Sequence, residues 1–219
     1  MTKYTLSYWQ EKALQLNIEY RAFINGDYVN SCSSGTFECN SPIDNRLLAN
    51  IAHCKEEDAD LAVIAARSAF NSGVWSKAAP GKRKLVLLKF ADLIEQHREE
   101  LALLETLDMG KPIADAMAVD LSGTMRCIRW SAEAIDKIYD EVAPTPDNEL
   151  GLVTHEPCGV VAAIVPWNFP LQMASWKIGP ALAAGNSVIL KPSEKSPLTA
   201  IKIAGLAKEA GIPDGVFNV

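Results

Sequence analysis

The chain has 219 residues, 48% of them hydrophobic and 22% charged, a balance that fits one large or two small globular units and excludes disorder. Its net charge of −6 argues against a nucleic-acid binder, whose domain is normally basic. The apolar run Val160–Val165, as long as any in the chain, is far short of a membrane span, and Met1–Glu11 lacks the apolar core and cleavage site of a secretory leader.

Leu6, Trp9, Ala13 and Leu16 share one helical face and predict a helix over 5–18. Asn25-Gly26 between the apolar flanks of Phe23–Val29 is a hairpin signal. Thr36–Asn40 and Leu48–Cys54 read as a second pair of strands around Pro42–Asn45. Helices fill the next hundred residues. Leu61, Ile64, Ala65, Ser68 and Ala69 mark one that closes at Gly73. Pro80 opens another, with Val86, Phe90, Leu93 and Ile94 on one stripe. Leu101, Leu104 and Leu107 continue that stripe to Gly110 and the stop Lys111-Pro112. A further helix runs from about Met125 to Tyr139, on Ile128, Ala132 and Ile135. Pro144–Asn148 is a loop, Glu149–Thr154 a strand, and Glu156–Gly159 a turn.

The last third changes texture. Val160–Val165 has the continuous apolar character of a buried parallel strand. A helix over 171–184 closes at Gly185-Asn186, and Ser187–Leu190 is a second strand. Ser196 reads as the N-cap and Pro197 as the first residue of a helix ending at Ala210 before Gly211 and Pro213. Val216–Val219 is a third strand. Strand–helix–strand–helix–strand is the pattern of a parallel α/β sheet. A sheet that stops there is expected of a fragment or truncated product, with Val216–Val219 an unpaired, aggregation-prone edge. The cysteines, Cys32, Cys39, Cys54, Cys127 and Cys158, are odd in number and contain no C-x-x-C pair. They read as small, partly buried hydrophobes in a reducing cytoplasm, without a zinc or redox motif.

The dinucleotide fingerprint G-x-G-x-x-G is absent, since Gly179 and Gly185 do not meet its spacing. Two other segments carry chemistry. Pro166-Trp167-Asn168-Phe169-Pro170 sits at the carboxyl end of the first parallel strand, where open α/β sheets place their ligand crevice. Asn168 has two readings there: it caps the next helix, or it aims an amide donor at developing negative charge. Lys191-Pro-Ser-Glu194 ends the next strand. Lys191 suits a phosphate or hydroxyl, and Glu194 suits ribose hydroxyls; the alternative is a surface ion pair of little energy.

Pro166–Pro170, Trp176–Asn186, Leu190–Glu194, Glu105–Pro112 and Phe23–Gly26 together resemble, in order and spacing, the N-terminal signature stretches of the aldehyde dehydrogenase superfamily. Tyr8–Leu14 and Ala132–Tyr139 look most like its bacterial branch acting on gamma-glutamyl-gamma-aminobutyraldehyde in putrescine degradation. The resemblance implies an α/β fold: a Rossmann-type parallel sheet with N-terminal helices and β-hairpins, truncated before the catalytic domain. Residues 1–139 become the N-terminal helix, hairpins and helical part of the cofactor domain. Residues 140–158 become a β-ribbon that joins subunits, and 159–219 the first βαβαβ portion of the NAD(P)-binding sheet.

The implied activity is NAD(P)+-dependent oxidation of an aldehyde, such as an aminoaldehyde, to its acid by a homo-oligomer. The Asn168 amide would hold the oxyanion. Ile164, Val165, Pro166 and Trp167 would line the cofactor, and Lys191 and Glu194 would bind the adenosine ribose. Glu194 would repel a 2′-phosphate and favour NAD over NADP. Phe169, Gln172, Met173 and Trp176 fall at the aldehyde tunnel. The polar Gln172 suits a substrate with amide or carboxylate groups, and core packing is the other reading of Met173 and Trp176. Asp108, with its backbone near Cys39, falls where some members hold a monovalent cation; helix C-cap chemistry is its other reading. The family's nucleophilic cysteine, general-base glutamate and second glycine-rich segment lie beyond the match to Val219, so this chain alone is expected to be inactive. The alternative is a non-catalytic product that binds dinucleotide or a full-length partner.

Overall fold

The computed structural model describes residues 4–219. Helix α1 spans Leu6–Leu14, with the Thr5 hydroxyl accepting the Tyr8 amide at 3.2 Å. It is shorter than the predicted 5–18 and buries none of its residues. So short a helix is marginal by itself, and Tyr8 ties it to the body by donating to Glu99. Strands β1 (Ala22–Ile24) and β2 (Asp27–Val29) form the expected hairpin. Asn25 and Gly26 have φ of 53° and 85°, the paired positive values that a type I′ turn requires. Strands β3 (Thr36–Asn40) and β4 (Leu47–Ala52) pair antiparallel beside it.

Helix α2 (Glu56–Ser72) carries the buried Asp58 in its first turn, and the Asp58 carboxylate accepts the amides of Lys55 and Cys32 at 2.9 and 2.8 Å. Three acidic residues in its first turn suit the helix dipole, and Gly73 closes it. The single stripe expected from Pro80 to Leu107 is two helices, α3 (Pro80–Gln96) and α4 (Arg98–Met109), because the backbone leaves helical geometry at His97. The expected stop at Lys111-Pro112 is brief. A short α5 (Ile113–Asp115), a π-helical segment (Ala116–Leu121) and α6 (Ser122–Ala134) follow in one run. Helix α6 ends short of Tyr139, where Ile138 and Tyr139 are exposed and find no core to pack on. Strands β5 (Glu141–Ala143) and β6 (Gly151–Val153) make a separate antiparallel ribbon.

Strands β7 (Val160–Ile164), β8 (Ser187–Lys191) and β9 (Phe217–Asn218) form a parallel sheet in the order β7-β8-β9. Helices α7 (Pro170–Ala183) and α8 (Leu198–Ala210) are its crossovers. Strand β7 is not buried on both faces as expected. Ala163 and Val165 enter the core, whereas Ala162 and Ile164 are exposed on the opposite, uncovered face of this edge strand. The edge at Val219 is not bare either: Phe23 and Val219 exchange two backbone hydrogen bonds, each 2.8 Å.

Helix α6 packs between α3 and α7. Phe90, Ile94, Ile128, Ile178 and Leu182 are wholly buried in this core, each worth roughly 1.5–3 kcal/mol of apolar transfer. Trp75 is buried with them and donates its indole N–H to the Leu182 carbonyl at 2.9 Å. The cysteines depart from expectation: Cys39 is buried and Cys127 half-buried, but Cys32, Cys54 and Cys158 are exposed. Their place in loops and at strand ends keeps them out of the core. No helix among the described residues is long and apolar enough to cross a membrane.

Candidate active site

The carboxyl ends of β7 and β8 lie side by side, with Ile164 opposite Lys191 in register. The Val165 amide extends the pairing to the Lys191 carbonyl at 3.1 Å. Register alone therefore brings Pro166–Phe169 against Lys191–Glu194. The Ser196 hydroxyl donates to the Trp167 carbonyl at 3.5 Å and adds a second tie.

Asn168 is exposed at this junction. Helix α7 begins at Pro170 without a side-chain cap, which removes the helix-capping reading of Asn168. Its amide has no protein hydrogen-bond partner among the described residues, and a primary amide left so is available as a donor. Ile164, Trp167 and Phe169 expose apolar surface around it, and Pro166 is exposed too. Val165 turns its side chain into the core and offers only backbone here.

Lys191 and Glu194 are both exposed and form an ion pair of 3.5 Å. The backbone amide of Glu194 and the charge of Lys191 hold the Glu194 carboxyl below the usual carboxylate range, so it is ionised at neutral pH. A cleft of about 520 Å³ joins Trp167 and Glu194 to Cys39 and Asp108. Cofactor candidates and the cation candidate thus share one concavity.

The Asp108 side chain does not cap its own helix. Oδ2 accepts the Leu198 amide at 2.8 Å and Oδ1 accepts the Cys39 thiol at 3.1 Å. Gly110 is the C-cap of α4, and Ser196, expected to cap α8, leaves that work to Asp108. Burial pushes the Asp108 carboxyl up to about 7, against the pull of Cys39 and Leu198. Burial also drives the Cys39 thiol far above its ordinary value, with the charge of Asp108 adding to it.

Gln172, Met173 and Trp176 line α7. Gln172 lies over Gly123 of α6, where a Cβ would stand 2.7 Å from Gln172 Nε2. Met173 packs on the main core. Trp176 is half exposed, so core packing does not describe it.

Three residues beneath the loop have no site role in the sequence analysis. Lys111 pairs with the wholly buried Asp120 at 2.6 Å, and its ammonium stands 3.7 Å from the Phe169 ring centroid. The wholly buried Glu105 accepts the Leu171 amide at 3.4 Å. Burial, then the charge of Asp120, raises Glu105 to about 8, while the Leu171 amide, Lys111 and Thr199 pull it back. A lone acid within the apolar run Ala116–Leu121 was the available signal, because a buried charge needs a partner.

A model of the aldehyde dehydrogenase family matches residues 28–219. The chain is 61% identical over 219 residues to the NADP/NAD-dependent aldehyde dehydrogenase PuuC of Escherichia coli K12, all of this chain against 44% of that protein. It is 50% identical over 207 residues to the aminoacetaldehyde dehydrogenase of Pseudomonas aeruginosa, 94% of this chain and 42% of that one. The crystal structure of gamma-glutamyl-gamma-aminobutyraldehyde dehydrogenase from Burkholderia cenocepacia superposes with a TM-score of 0.98 at 61% identity, over 99% of this chain and 44% of that one. The P. syringae indole-3-acetaldehyde dehydrogenase AldA, solved with NAD+ and IAA, gives a TM-score of 0.98 at 64% identity over the same shares. The chain spans less than half the length of these relatives.

Proposed function

The chain belongs to the aldehyde dehydrogenase family, and on that premise we propose that it forms the oxyanion-binding amide and the adenosine end of the NAD(P)+ site in an enzyme that oxidises an aldehyde to its acid. The observation that carries this reading is the uncapped, exposed Asn168 amide at the junction of β7 and β8. Such a donor stabilises the charge that develops on a carbonyl oxygen under nucleophilic attack.

The open face of β7 and the exposed Lys191–Glu194 pair suit a dinucleotide. Ile164 and Trp167 would pack on it, with Lys191 and Glu194 on the ribose hydroxyls. NAD(P)+ supplies the hydride acceptor when bound. The ionised Glu194 disfavours a 2′-phosphate, which makes NAD+ the preferred form. Near Asp108 the cleft also holds the place proposed for a monovalent cation, by backbone oxygens, because the side chain is engaged elsewhere.

The chain has no thiol suited to covalent catalysis at this junction. Cys39 is buried with its thiol raised, and desolvation by packing around its sulfur, with the charge of Asp58, pushes Cys54 up to about 11. A hydrogen bond to Asp58 raises Cys32. Cys127 donates to the Ser175 carbonyl, and Cys158 stands at the amino end of β7. On this reading none of the five cysteines serves as the nucleophile of the proposed oxidation.

Gln172 favours an aldehyde bearing amide or carboxylate groups, in keeping with the gamma-glutamyl-gamma-aminobutyraldehyde in the name of the Burkholderia cenocepacia enzyme. The β5–β6 ribbon exposes Val142, Leu152 and Val153, apolar surface suited to joining subunits of a homo-oligomer. Five free cysteines, three of them exposed, suit a reducing cytoplasm.

The test is NADH formation with gamma-glutamyl-gamma-aminobutyraldehyde. A full-length protein carrying this chain is expected to turn over, and the 219-residue chain alone is not. Turnover by the isolated chain, or none by the full-length protein with a panel of aldehydes, refutes the assignment.

A further inference from the structure

The segment Glu105–Pro112 is singled out by its sequence, yet the site as described gives its lysine no task. Lys111 stands between the left-handed Gly110 and Pro112 with a side chain only 11% exposed. The π-helical segment brings Asp120 inward to meet it, and such segments recur at functional sites. The second carboxylate oxygen of Asp120 has no hydrogen-bond partner in the structure. The ammonium contacts this buried carboxylate and the face of Phe169, and its charge also reaches Glu105.

A buried ion pair is a poor source of stability, because desolvation offsets its attraction and apolar replacements are often as stable. This one stands next to the loop that carries Asn168. The Asn168 side chain makes no hydrogen bond among the described residues, so its direction depends on its neighbours. Trp167 is tied through its carbonyl to Ser196, Leu171 through its amide to Glu105, and Phe169 through its ring to Lys111. Of these ties only the last acts on a residue adjacent to Asn168 on the helix side.

We propose that Lys111, held by Asp120, clamps the Phe169 ring and thereby aims the Asn168 amide, making Lys111 and Asp120 positioning residues for the oxyanion site. The proposal rests on the reading of Asn168 as an oxyanion donor. A cation over an aromatic face gains strength as it is shielded from water, and the Lys111 side chain is only 11% exposed while the far face of Phe169 stays open. The clamp fixes the loop without touching substrate or cofactor, so its loss weakens turnover while dinucleotide binding stays intact.

The test uses a full-length protein carrying this chain. Lys111→Met combined with Asp120→Asn removes both charges together, so no lone buried charge remains. The expected result is a fall of about tenfold in kcat for aldehyde oxidation, the scale of one partly shielded cation–π contact, with KM for NAD+ unchanged. A crystal structure of this variant is expected to show the Phe169 ring displaced. Lys111→Arg keeps a cation for both partners and is expected to restore kcat. Lys111→Gln, which keeps a donor to Asp120 but no cation, serves if the double variant does not fold, and is expected to displace the ring likewise. A Phe169 ring that stays in place, or an unchanged kcat in an active parent, overturns the clamp. Asn168→Ala with full kcat in the same protein overturns the oxyanion reading instead, and the ring position still decides the clamp.

Discussion

Asp108 Oδ2 accepts the amide of Leu198 at 2.8 Å across a separation of 90 residues, so the last turn of α4 caps the first turn of α8. The other oxygen accepts the Cys39 thiol, joining β3 to the same point. One carboxyl thereby fixes three elements around the cleft that holds Trp167 and Glu194.

Removing it leaves a buried donor without a partner. Asp108→Ala is expected to destabilise the fold by about 1–3 kcal/mol, the cost of an unsatisfied buried amide. Asp108→Asn keeps one oxygen for Leu198 and is expected to cost less. Thermal melts of both variants against the parent check the order; equal stability of Asp108→Ala and the parent contradicts the cap.

The buried acids also set a pH dependence. Glu105 rises from 4.5 to about 8 through burial and the charge of Asp120. Between those values the unfolded chain has released its proton and the folded chain still holds it. The unfolded state then binds fewer protons, so stability falls as pH rises. The contribution is full below about pH 4.5, declines through about pH 8 and is flat above. Asp108, raised to about 7 by burial, acts in the same direction over a narrower window. Glu105→Gln keeps an acceptor for Leu171 and is expected to flatten this decline. Melting temperatures at pH 5, 7 and 8.5 measure it, and an unaltered slope in the variant rules out Glu105 as its source.

Much of this architecture was legible in the sequence. The Asn25-Gly26 turn, the left-handed stop at Gly73 and the βαβαβ order each rest on local chemistry that one segment carries alone. The carboxyl ends of β7 and β8 were readable as a crevice because parallel register follows from that order. What stayed hidden depends on contacts distant in sequence. Ser196 reads as a cap until Asp108, on another helix, is seen to supply the acceptor. The π-helical segment answers to no side-chain period, so Asp120 and its pairing with Lys111 could not be placed. The open face of β7 reads as a buried strand because a run of apolar residues does not tell a covered face from an uncovered one.

Gly123 decides where Gln172 lies. It is a buried glycine in a continuous helical run, and a Cβ there would meet Gln172 Nε2 at 2.7 Å. Glycine in a helix costs about 1 kcal/mol relative to alanine, so its presence has a packing reason. Gly123→Met is expected to displace the Gln172 amide and replace a polar wall with an apolar one. A polar contact of this kind discriminates more sharply than a hydrophobic one. The ratio of kcat/KM for gamma-glutamyl-gamma-aminobutyraldehyde over indole-3-acetaldehyde should drop about tenfold. A constant ratio means that Gln172 does not face the substrate.

The Asn168 amide offers the sharpest reading of the site. If it donates to the developing oxyanion, its contribution appears in the transition state and hardly in binding. In a full-length protein, Asn168→Ala should lower kcat by about 10²–10³ and leave KM for NAD+ near the parent value. Stability should stay close to the parent's, since the side chain is exposed and caps nothing. A structural role predicts the opposite pattern, with a lower melting temperature and a proportionate loss of active protein. Active-site titration alongside the kinetics separates the two, because it counts competent sites independently of their rate. A rate loss that vanishes on correction for active sites makes Asn168 a folding residue and removes the oxyanion donor from the mechanism.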